Sequence, residues 1–452
     1  MKKQRSICHV TAHLGGGVGA VIMCWVKNAP MTEAHSVLCL DKNNDEDWRE
    51  LVRMHPHIHI EDNAWKRKDF VELLQKTIAD SDIVVVHWWN HPLLYDIMLN
   101  TQWPDCRLIA WNHATCLHAP YVVSKEIVEF ADLFVCTSPI THELPDFDDM
   151  AGDGEDKRHV IWSTVGVDAF KNIQRAERGT DFIVGYTGTV DKGKLHPQYI
   201  AMCAKAHCHG MHFVVCSGDS QQHLKKQAIT AGVTDAFSFM GRVPSVLPYL
   251  ASYDVFGYPL QSKHFGSCEQ ALGEAMMAGC VPVVLSNPAE SYIVEHGQSG
   301  FVAQDEKEYV QTLKHLYHNR DIIPTLAENA KKRALKLYDL DPVMKQWEQL
   351  FEIMMSRPKQ PRSYYKVVRQ YSPAELYLAA LGKFSAPLQN FVEAKTITEQ
   401  QRAIEKIQKL FSENSMFYSQ NKGSVFQYLQ FFPHDRWLKS WGDIATKERL
   451  LS

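Results

Sequence analysis

Short apolar runs alternate with helical patterns along residues 6–350, and they do so in two series separated by a polar stretch. In the first series the runs fall at 6–12, 35–40, 57–60, 82–87, 107–111, 133–138 and 159–162. In the second they fall at 182–186, 211–216, 236–243, 253–258 and 281–285. Buried runs this short, each followed by a helix, predict parallel sheets whose ligand sites lie beyond the strand C-termini. Polar or glycine residues stand at many of those ends: His87, His113, Gly188, Ser217-Gly218 and Gly241-Arg242. A chain of 452 residues is too long for one core, so two or three domains are expected. Gly166-Val167-Asp168 and the polar run 171–180 mark the boundary between the series. The expected division is an α/β domain over 1–175, a second over 176–356, and a linker with a helical extension over 357–452.

The last hundred residues read differently. Residues 357–369 carry Arg357, Lys359, Arg362, Lys366 and Arg369 with two prolines and no acid, as a linker would. Ser372-Pro373-Ala374-Glu375 is a capping box with proline at the first helical position, and Thr398-x-x-Gln401 predicts a second helix start. Residues 422–441 are aromatic, with Phe426, Tyr428, Phe431, Phe432, Trp437 and Trp441. Packing against the main body is the expected role of that stripe, with a partner or membrane surface as the alternative. The acidic stretch 146–157 reads as a solvated loop without the register of a calcium site.

Composition excludes several function classes. The net charge is −4, so no global basic field for nucleic acid exists. The 11 cysteines are scattered with no C-x-x-C pair, which points to free buried thiols in a reducing compartment. The basic N-terminus lacks an apolar segment behind it, and no run has transmembrane length. A cytoplasmic protein is expected; weak association with a membrane surface stays open. His55, His57 and His59 alternate along one strand, but no acid or cysteine joins them at ligand spacing, so no metal site is expected.

Two glycine-bearing stretches carry candidate chemistry. Gly15, Gly16 and Gly17 precede a helix after the first strand, and Gly15-x-Gly17-x-x-Ala20 with Asp41 loosely fits a dinucleotide fingerprint. The other stretch is 262–284, which reads as loop, helix, turn and buried strand. Ser267 and Gln270 have capping-box spacing, so a helix is expected just after Ser267. Gly279 is its stop signal. A glycine at a helix mouth suits an anion, whereas Glu269 and Glu274 there suit sugar hydroxyls.

The ordered set of motifs resembles retaining glycosyltransferases of family 4, the group 1 glycosyltransferases, over residues 6 to 350. It comprises Gly15 to Gly19, His113, Gly166-Val167-Asp168 with Phe170, the loop Gly188 to Lys194, Gly241-Arg242-Val243, Tyr258-Pro259, Glu274 to Gly279, Glu290 and Gly297-Gln298-Ser299-Gly300. The resemblance implies a GT-B fold, α/β, of two Rossmann-like domains facing across a cleft, plus the helical extension. It implies transfer of a hexosyl or N-acetylhexosaminyl group from a nucleotide-sugar donor to a glycan, lipid-linked or other hydroxyl acceptor, with retention and without cofactor or metal. Lys194 then matches the phosphate-binding lysine, with Lys192 as the alternative, and Glu274 binds the ribose. His113 contacts the sugar or the developing charge. Donor contacts are expected from Gly15, Gly16, Gly17, Gly188, Thr189, Gly218, Gly241, Arg242, Val243, Phe265, Gly266, Ser267 and Cys268.

Two departures from the family pattern stand out. Thr189 occupies the place of an arginine, so Arg242 or Lys192 is expected to supply the missing contact. The family has two glutamates with seven residues between them, and counting back from Glu274 reaches Gly266. Glu269 lies about 140° around a helix from Glu274 and cannot share its face; either it points end-on into the cleft or His264 takes part of the role. These departures keep two other readings alive, a non-catalytic nucleotide-sugar-binding protein and a nucleotide-sugar epimerase. An NAD-dependent oxidoreductase would leave the second α/β series without a purpose.

Overall fold

A computed structural model of the chain describes residues 4–43, 47–55, 57–142, 144, 157–175, 180–362, 370–419 and 423–451. The chain divides into two compact units, one made of Met1–Ser163 with Asp341–Ser452 and the other of Thr164–Leu340.

The first unit is built on a parallel sheet. Its strands are β1 (Arg5–Thr11), β2 (Glu33–Cys39), β3 (Ile58–Glu61), β4 (Ile83–Trp88), β6 (Leu108–Asn112), β7 (Leu133–Cys136) and β8 (Arg158–Val160); β5 (Trp103–Cys106) lies outside that sheet. The order is β3-β2-β1-β4-β6-β7-β8. β4 and β6 are buried along their whole length, as apolar runs covered on both faces require. Helix Gly16–Asn28 follows β1 and brings Trp25 onto the sheet. There it stacks on Trp347 at 4.4 Å and meets Trp111 edge-on at 5.4 Å.

The second unit holds a six-stranded sheet. It contains β9 (Phe182–Thr187), β10 (Met211–Cys216), β11 (Phe237–Gly241), β12 (Val255–Tyr258), β13 (Val281–Leu285) and β14 (Phe301–Ala303), in the order β11-β10-β9-β12-β13-β14. All its pairings are parallel. The order reverses between β9 and β12, where α/β sheets open a crevice beyond their strand ends. The chain then returns to the first unit through helix Leu340–Ser356 and β15 (Gln360–Arg362), which pairs antiparallel with β5.

That return changes the expected division. Residues 357–452 are not a separate body; with 341–356 they cluster with residues 1–163. The cause is visible in helix Leu340–Ser356, whose Trp347 and Phe351 are buried against Trp25. Residues 360–362, expected as linker, form β15 instead, because Arg362 is buried on the Phe130 carbonyl and paired with Asp132. Residues 363–369 and, of the acidic stretch 146–157, residues 146–156 lie outside the described residues.

The extension is packing, as its aromatic stripe implied. Tyr428 and Trp441 are buried with Tyr377, and Asn90 after β4 donates to the Ala380 carbonyl at 3.0 Å. The Ser372–Glu375 capping box forms. Helix Ala386–Glu393 follows, and the helix expected after Thr398 begins two residues earlier, at Ile397, because Thr396 and Glu399 make the capping box in place of Thr398 and Gln401. All eleven cysteines are free. Among the described residues no helix is long and apolar enough to cross a membrane.

The tryptophan cluster joins two segments more than three hundred residues apart, so it should carry much of the first unit's stability. Trp347→Ala is expected to cost about 3–5 kcal/mol, the range for a truncated buried aromatic. A urea-unfolding midpoint unchanged by this substitution would show that the return helix does not hold the unit together.

Candidate active site

In the second unit, the ends of β9, β10 and β11 form a cavity of about 460 Å³ lined by Thr187–Thr189, Cys216–Asp219, Gly241–Val243 and Val246. Gly188 has φ +147°, a conformation closed to residues with a side chain, and its N–H bonds the Cys216 carbonyl at 3.1 Å. Gly188, Thr189, Gly218, Gly241, Arg242 and Val243, all singled out in the sequence, thus meet around one space. Tyr186 donates to the Thr189 carbonyl and keeps that loop against the sheet.

Beside β12 lies a buried charged cluster. Lys194 reaches Glu269 with Nζ at 2.8 Å from Oε2 and 3.1 Å from Oε1. Tyr258 Oη donates to Glu269 Oε2 at 2.7 Å. The Glu269 side chain is 1% exposed and that of Lys194 15%. Burial pushes the Glu269 carboxyl upward, but Lys194, His264 and Tyr258 outweigh it and leave its pKa below the ordinary value. Lys194 itself stands in a pinned loop: Asp191 accepts from the Gly193 N–H at 2.9 Å, and Gln261 Nε2 donates to the Gly193 carbonyl at 2.9 Å. Lys192 is exposed, so of the two lysines only Lys194 enters the cluster.

His264 is buried on the other side. Its Nε2 is 3.0 Å from Glu290 Oε1, its Nδ1 accepts from the Gly266 N–H at 3.1 Å, and the same Nδ1 is 3.6 Å from Glu269 Oε1. Burial disfavours its charge, yet Glu290 and then Glu269 hold its pKa above the ordinary histidine value. The Gly266 N–H opposes that shift, since it donates to an unprotonated Nδ1. Neither His264 nor Glu269 points outward, in contrast to an end-on carboxylate or a histidine offered to a sugar. His264, Glu269 and Glu290 bring three ligand atoms within 4.8 Å, a donor set of the type metals use. Lys194 supplies the positive charge to that set here.

The turn before the helix explains how Glu269 gets inside. The helix is Gln270–Met277, two residues later than the spacing of Ser267 and Gln270 suggested. Its N-cap is Glu269, at φ +27°, with no side-chain cap bond. Gln270 does not complete a capping box; its Oε1 accepts from the Val165 N–H at 3.2 Å. Ser267 and Cys268 are buried, and Tyr338 Oη clamps the Cys268 carbonyl at 2.6 Å. Phe265 and Gly266 are the partly exposed part of this turn, with Lys194 Nζ 5.6 Å from the Phe265 ring centre. A Cβ on Gly266 would fall 1.7 Å from Glu269 Oε1. The Glu269 carboxylate therefore lies where a side chain at position 266 would begin. Gly279, at φ +82°, ends the helix as expected.

Glu274 lies further along the same helix, partly buried. Burial alone raises its pKa to about 7. In the first unit, Gly15 is the N-cap of helix Gly16–Asn28, and Gly16 and Gly17 are exposed in its first turn. His113 follows β6, partly buried, with Nε2 3.0 Å from His87 Nδ1. Burial lowers its pKa to about 3. Trp88 ends β4 and is wholly buried. Sequence reading gave Tyr258 and Glu290 no role beyond marking order; their signal was position, one at the end of β12 and one in a helix starting just after β13.

Comparisons with known proteins point the same way. Residues 181–319, spanning β9 to β14, match the family model described as Glycosyl transferases group 1. An uncharacterized glycosyltransferase of Haemophilus influenzae is 24% identical over 139 residues, a match covering 30% of this chain and only 38% of that relative. Among solved structures, the Anabaena protein HepE in complex with UDP superposes with a TM-score of 0.61 at 16% identity, covering 77% of this chain and 100% of that one. A glycosyltransferase from Rickettsia africae gives 0.62 at 12% identity over 78% and 99%. HepE in complex with UDP-glucose gives 0.59 at 17% identity over 77% and 99%. These likenesses show the fold, which is that of GT-B glycosyltransferases.

An ionised Glu274 is held in the folded state against its burial. Its folded pKa lies above the unfolded value, so the native state binds the extra proton between about pH 4.5 and 7 and stability falls as pH rises through that window. Glu274→Gln should therefore raise the unfolding temperature at pH 8, by the equivalent of up to about 3 kcal/mol, and leave it near wild type at pH 4.5. Equal unfolding temperatures for the two proteins at pH 8 would contradict the burial argument.

Proposed function

We propose that the protein is a glycosyltransferase that moves a hexosyl or N-acetylhexosaminyl group from a nucleotide-sugar donor to a hydroxyl acceptor, retaining the anomeric configuration. The observation that carries this reading is the Glu269 carboxylate seated beside Gly266 and bound to Lys194. The glutamate that the family pattern calls for at position 266 is absent from the chain, yet the carboxylate of Glu269 lies where its side chain would begin.

Departure of a nucleoside diphosphate requires fixed positive potential at the leaving oxygens. Lys194 supplies it. Glu269 is too buried to touch donor and acts as a positioning residue that holds the ammonium on one side of the pocket; Tyr258 and His264 hold Glu269. The cavity at the ends of β9, β10 and β11 takes the nucleotide, with the loop Gly188–Thr189 against the phosphates and the turn Gly241–Val243 against the base. Exposed Arg242 lines that cavity and replaces the arginine that Thr189 displaces. Glu274 accepts hydrogen bonds from the ribose hydroxyls, which favour its ionised form. Within the first unit, His113 at the end of β6 offers a hydrogen bond to a sugar hydroxyl, and Gly15 to Gly17 leave the backbone open to close approach. No metal enters this scheme, because Lys194 provides the charge a cation would bring. Two of the similar structures hold UDP or UDP-glucose, which makes uridine diphosphate sugars the first donors to test.

The decisive measurement combines binding and transfer. UDP at one hundred times its dissociation constant should stabilise the protein by about 2.7 kcal/mol in thermal unfolding. Lys194→Ala leaves a buried carboxylate unpaired, at a cost of about 3–5 kcal/mol, so the test of chemistry is Lys194→Met combined with Glu269→Gln. That pair should fold as stably as wild type and lose transfer by about a hundredfold or more, and a chelator should leave wild-type transfer unchanged. Retained transfer in the double variant would remove Lys194 from the mechanism. Binding without any transfer across donors and acceptors would favour the non-catalytic reading.

A further inference from the structure

Four histidines cross the sheet of the first unit in single file. His35 Nδ1 is 2.9 Å from His9 Nε2, His9 Nδ1 is 3.0 Å from His87 Nε2, and His87 Nδ1 is 3.0 Å from His113 Nε2. Strand register sets the file. His35 pairs with Ile7, two residues before His9; His9 pairs with Val85, two before His87; His87 pairs with Trp111, two before His113. Residues two apart share a face, so the rings advance diagonally from the start of β2 to the C-terminal end of β6. Their centres are 5.2–5.3 Å apart with nearly parallel planes. His9, His35 and His87 are buried, and Trp25 covers His9 edge-on at 4.7 Å.

This arrangement permits few proton patterns. A neutral imidazole has one N–H and one bare nitrogen, and each of the three contacts between rings needs one hydrogen. If His113 donates from Nε2, His87 must accept on Nδ1 and so carries its own hydrogen on Nε2, and the same holds down the file. All four rings are therefore Nε2–H, or all four are Nδ1–H. An imidazolium at any one ring would let the pattern reverse there, but burial opposes charge on His113, and burial followed by the neighbouring ring opposes it on His9 and His87. The far end breaks the tie. His35 Nε2 is 3.4 Å from Glu33 Oε2, and Glu33, itself buried, is held by Arg5 at 3.2 Å. The pair does not meet hydrogen-bond geometry, yet the charge of the carboxylate favours a hydrogen on the nitrogen facing it, His35 Nε2.

We propose that Glu33, acting through His35, His9 and His87, fixes His113 as the Nε2–H tautomer and so makes His113 Nδ1 a hydrogen-bond acceptor at the end of β6. Glu33, His35, His9 and His87 are positioning residues; the hydroxyl that His113 Nδ1 would receive is that of a sugar. That last step rests on the transferase reading, whereas the tautomer does not.

Full-length protein labelled with ¹⁵N in its histidine rings tests this directly, because ring-nitrogen shifts distinguish the tautomers and contacts to the Trp25 and Trp111 ring protons assign the file. All four rings are expected as Nε2–H; any one found as Nδ1–H or as imidazolium overturns the proposal. In Glu33→Gln the amide offers either a donor or an acceptor to His35, and His113 should become a mixture of tautomers. Arg5→Met keeps the carboxylate and should leave the tautomers as in wild type; an equal disturbance in Arg5→Met would overturn the role of Glu33 as the charge that selects them. For transfer, Glu33→Gln should lower kcat/KM about three- to tenfold, the effect of one hydrogen bond, with UDP binding unchanged. Unchanged kcat/KM beside mixed tautomers would overturn the use of His113 Nδ1. If no donor is turned over by wild type, the transferase reading fails while the ring shifts still decide the proposal.

Discussion

Much of the second unit's site depends on burying one carboxylate. Glu269 is nearly inaccessible, and an ion of that kind costs several kcal/mol to desolvate unless it is paired and hydrogen-bonded. Every neighbour answers that demand. Lys194 neutralises it, Tyr258 donates to it, and His264 sits at its second oxygen. The partners need holding in turn. Asp191 and Gln261 fix the Lys194 loop, and Glu290 fixes His264. A backbone at φ +27° is uncommon for a glutamate, and such a conformation persists only where its surroundings over-determine it. Tyr338, Lys194 and Tyr258 do so here. Lys194 is thus held in one place by its partners, and preorganisation is what makes a charge effective in a site.

The first unit applies the same rule of satisfaction to neutral groups. Three buried imidazoles would be costly alone, since a buried polar atom without a partner loses its hydration with no return. In file, each ring satisfies the next. Parallel register places them two residues out of step per strand, which no single strand reveals. The two units therefore reach their strand-end sites by different means, one by compensating a charge and the other by handing a hydrogen bond across a sheet.

The fold was legible because parallel α/β sheets write themselves as short buried runs between helices. The runs at 211–216 and 281–285 coincide with β10 and β13. The misreadings share a cause. Ser267 with Gln270, and Thr398 with Gln401, satisfy a local spacing, but tertiary contacts chose otherwise: Gln270 is drawn to Val165, and Thr396 with Glu399 made the better cap. The run 357–362 looked like linker because its positive charge had no visible partner, and Asp132 lies over two hundred residues away. The histidine file was invisible for the same reason. His87 and His113 were noticed as strand ends, while their link to His9 and His35 depends on the register of three strand pairs.

The site shows most clearly what spacing can and cannot say. A motif counted along the chain measures distances between Cα atoms, whereas chemistry depends on where carboxylates end. Glu269 is three residues from the place the pattern names and five from Glu274, a spacing that on a regular helix would set the two acids about 140° apart. Glu269 does not lie on a regular helix, being the residue ahead of Gln270. The left-handed turn ahead of Gln270 folds the side chain back, and Gly266 leaves the room it needs, since any Cβ there would overlap Oε1. Glycine at 266 and glutamate at 269 are one device, each intelligible only with the other. A departure from a linear motif is thus weak evidence for a lost site when the residue left at the expected position is the one that makes space for its substitute.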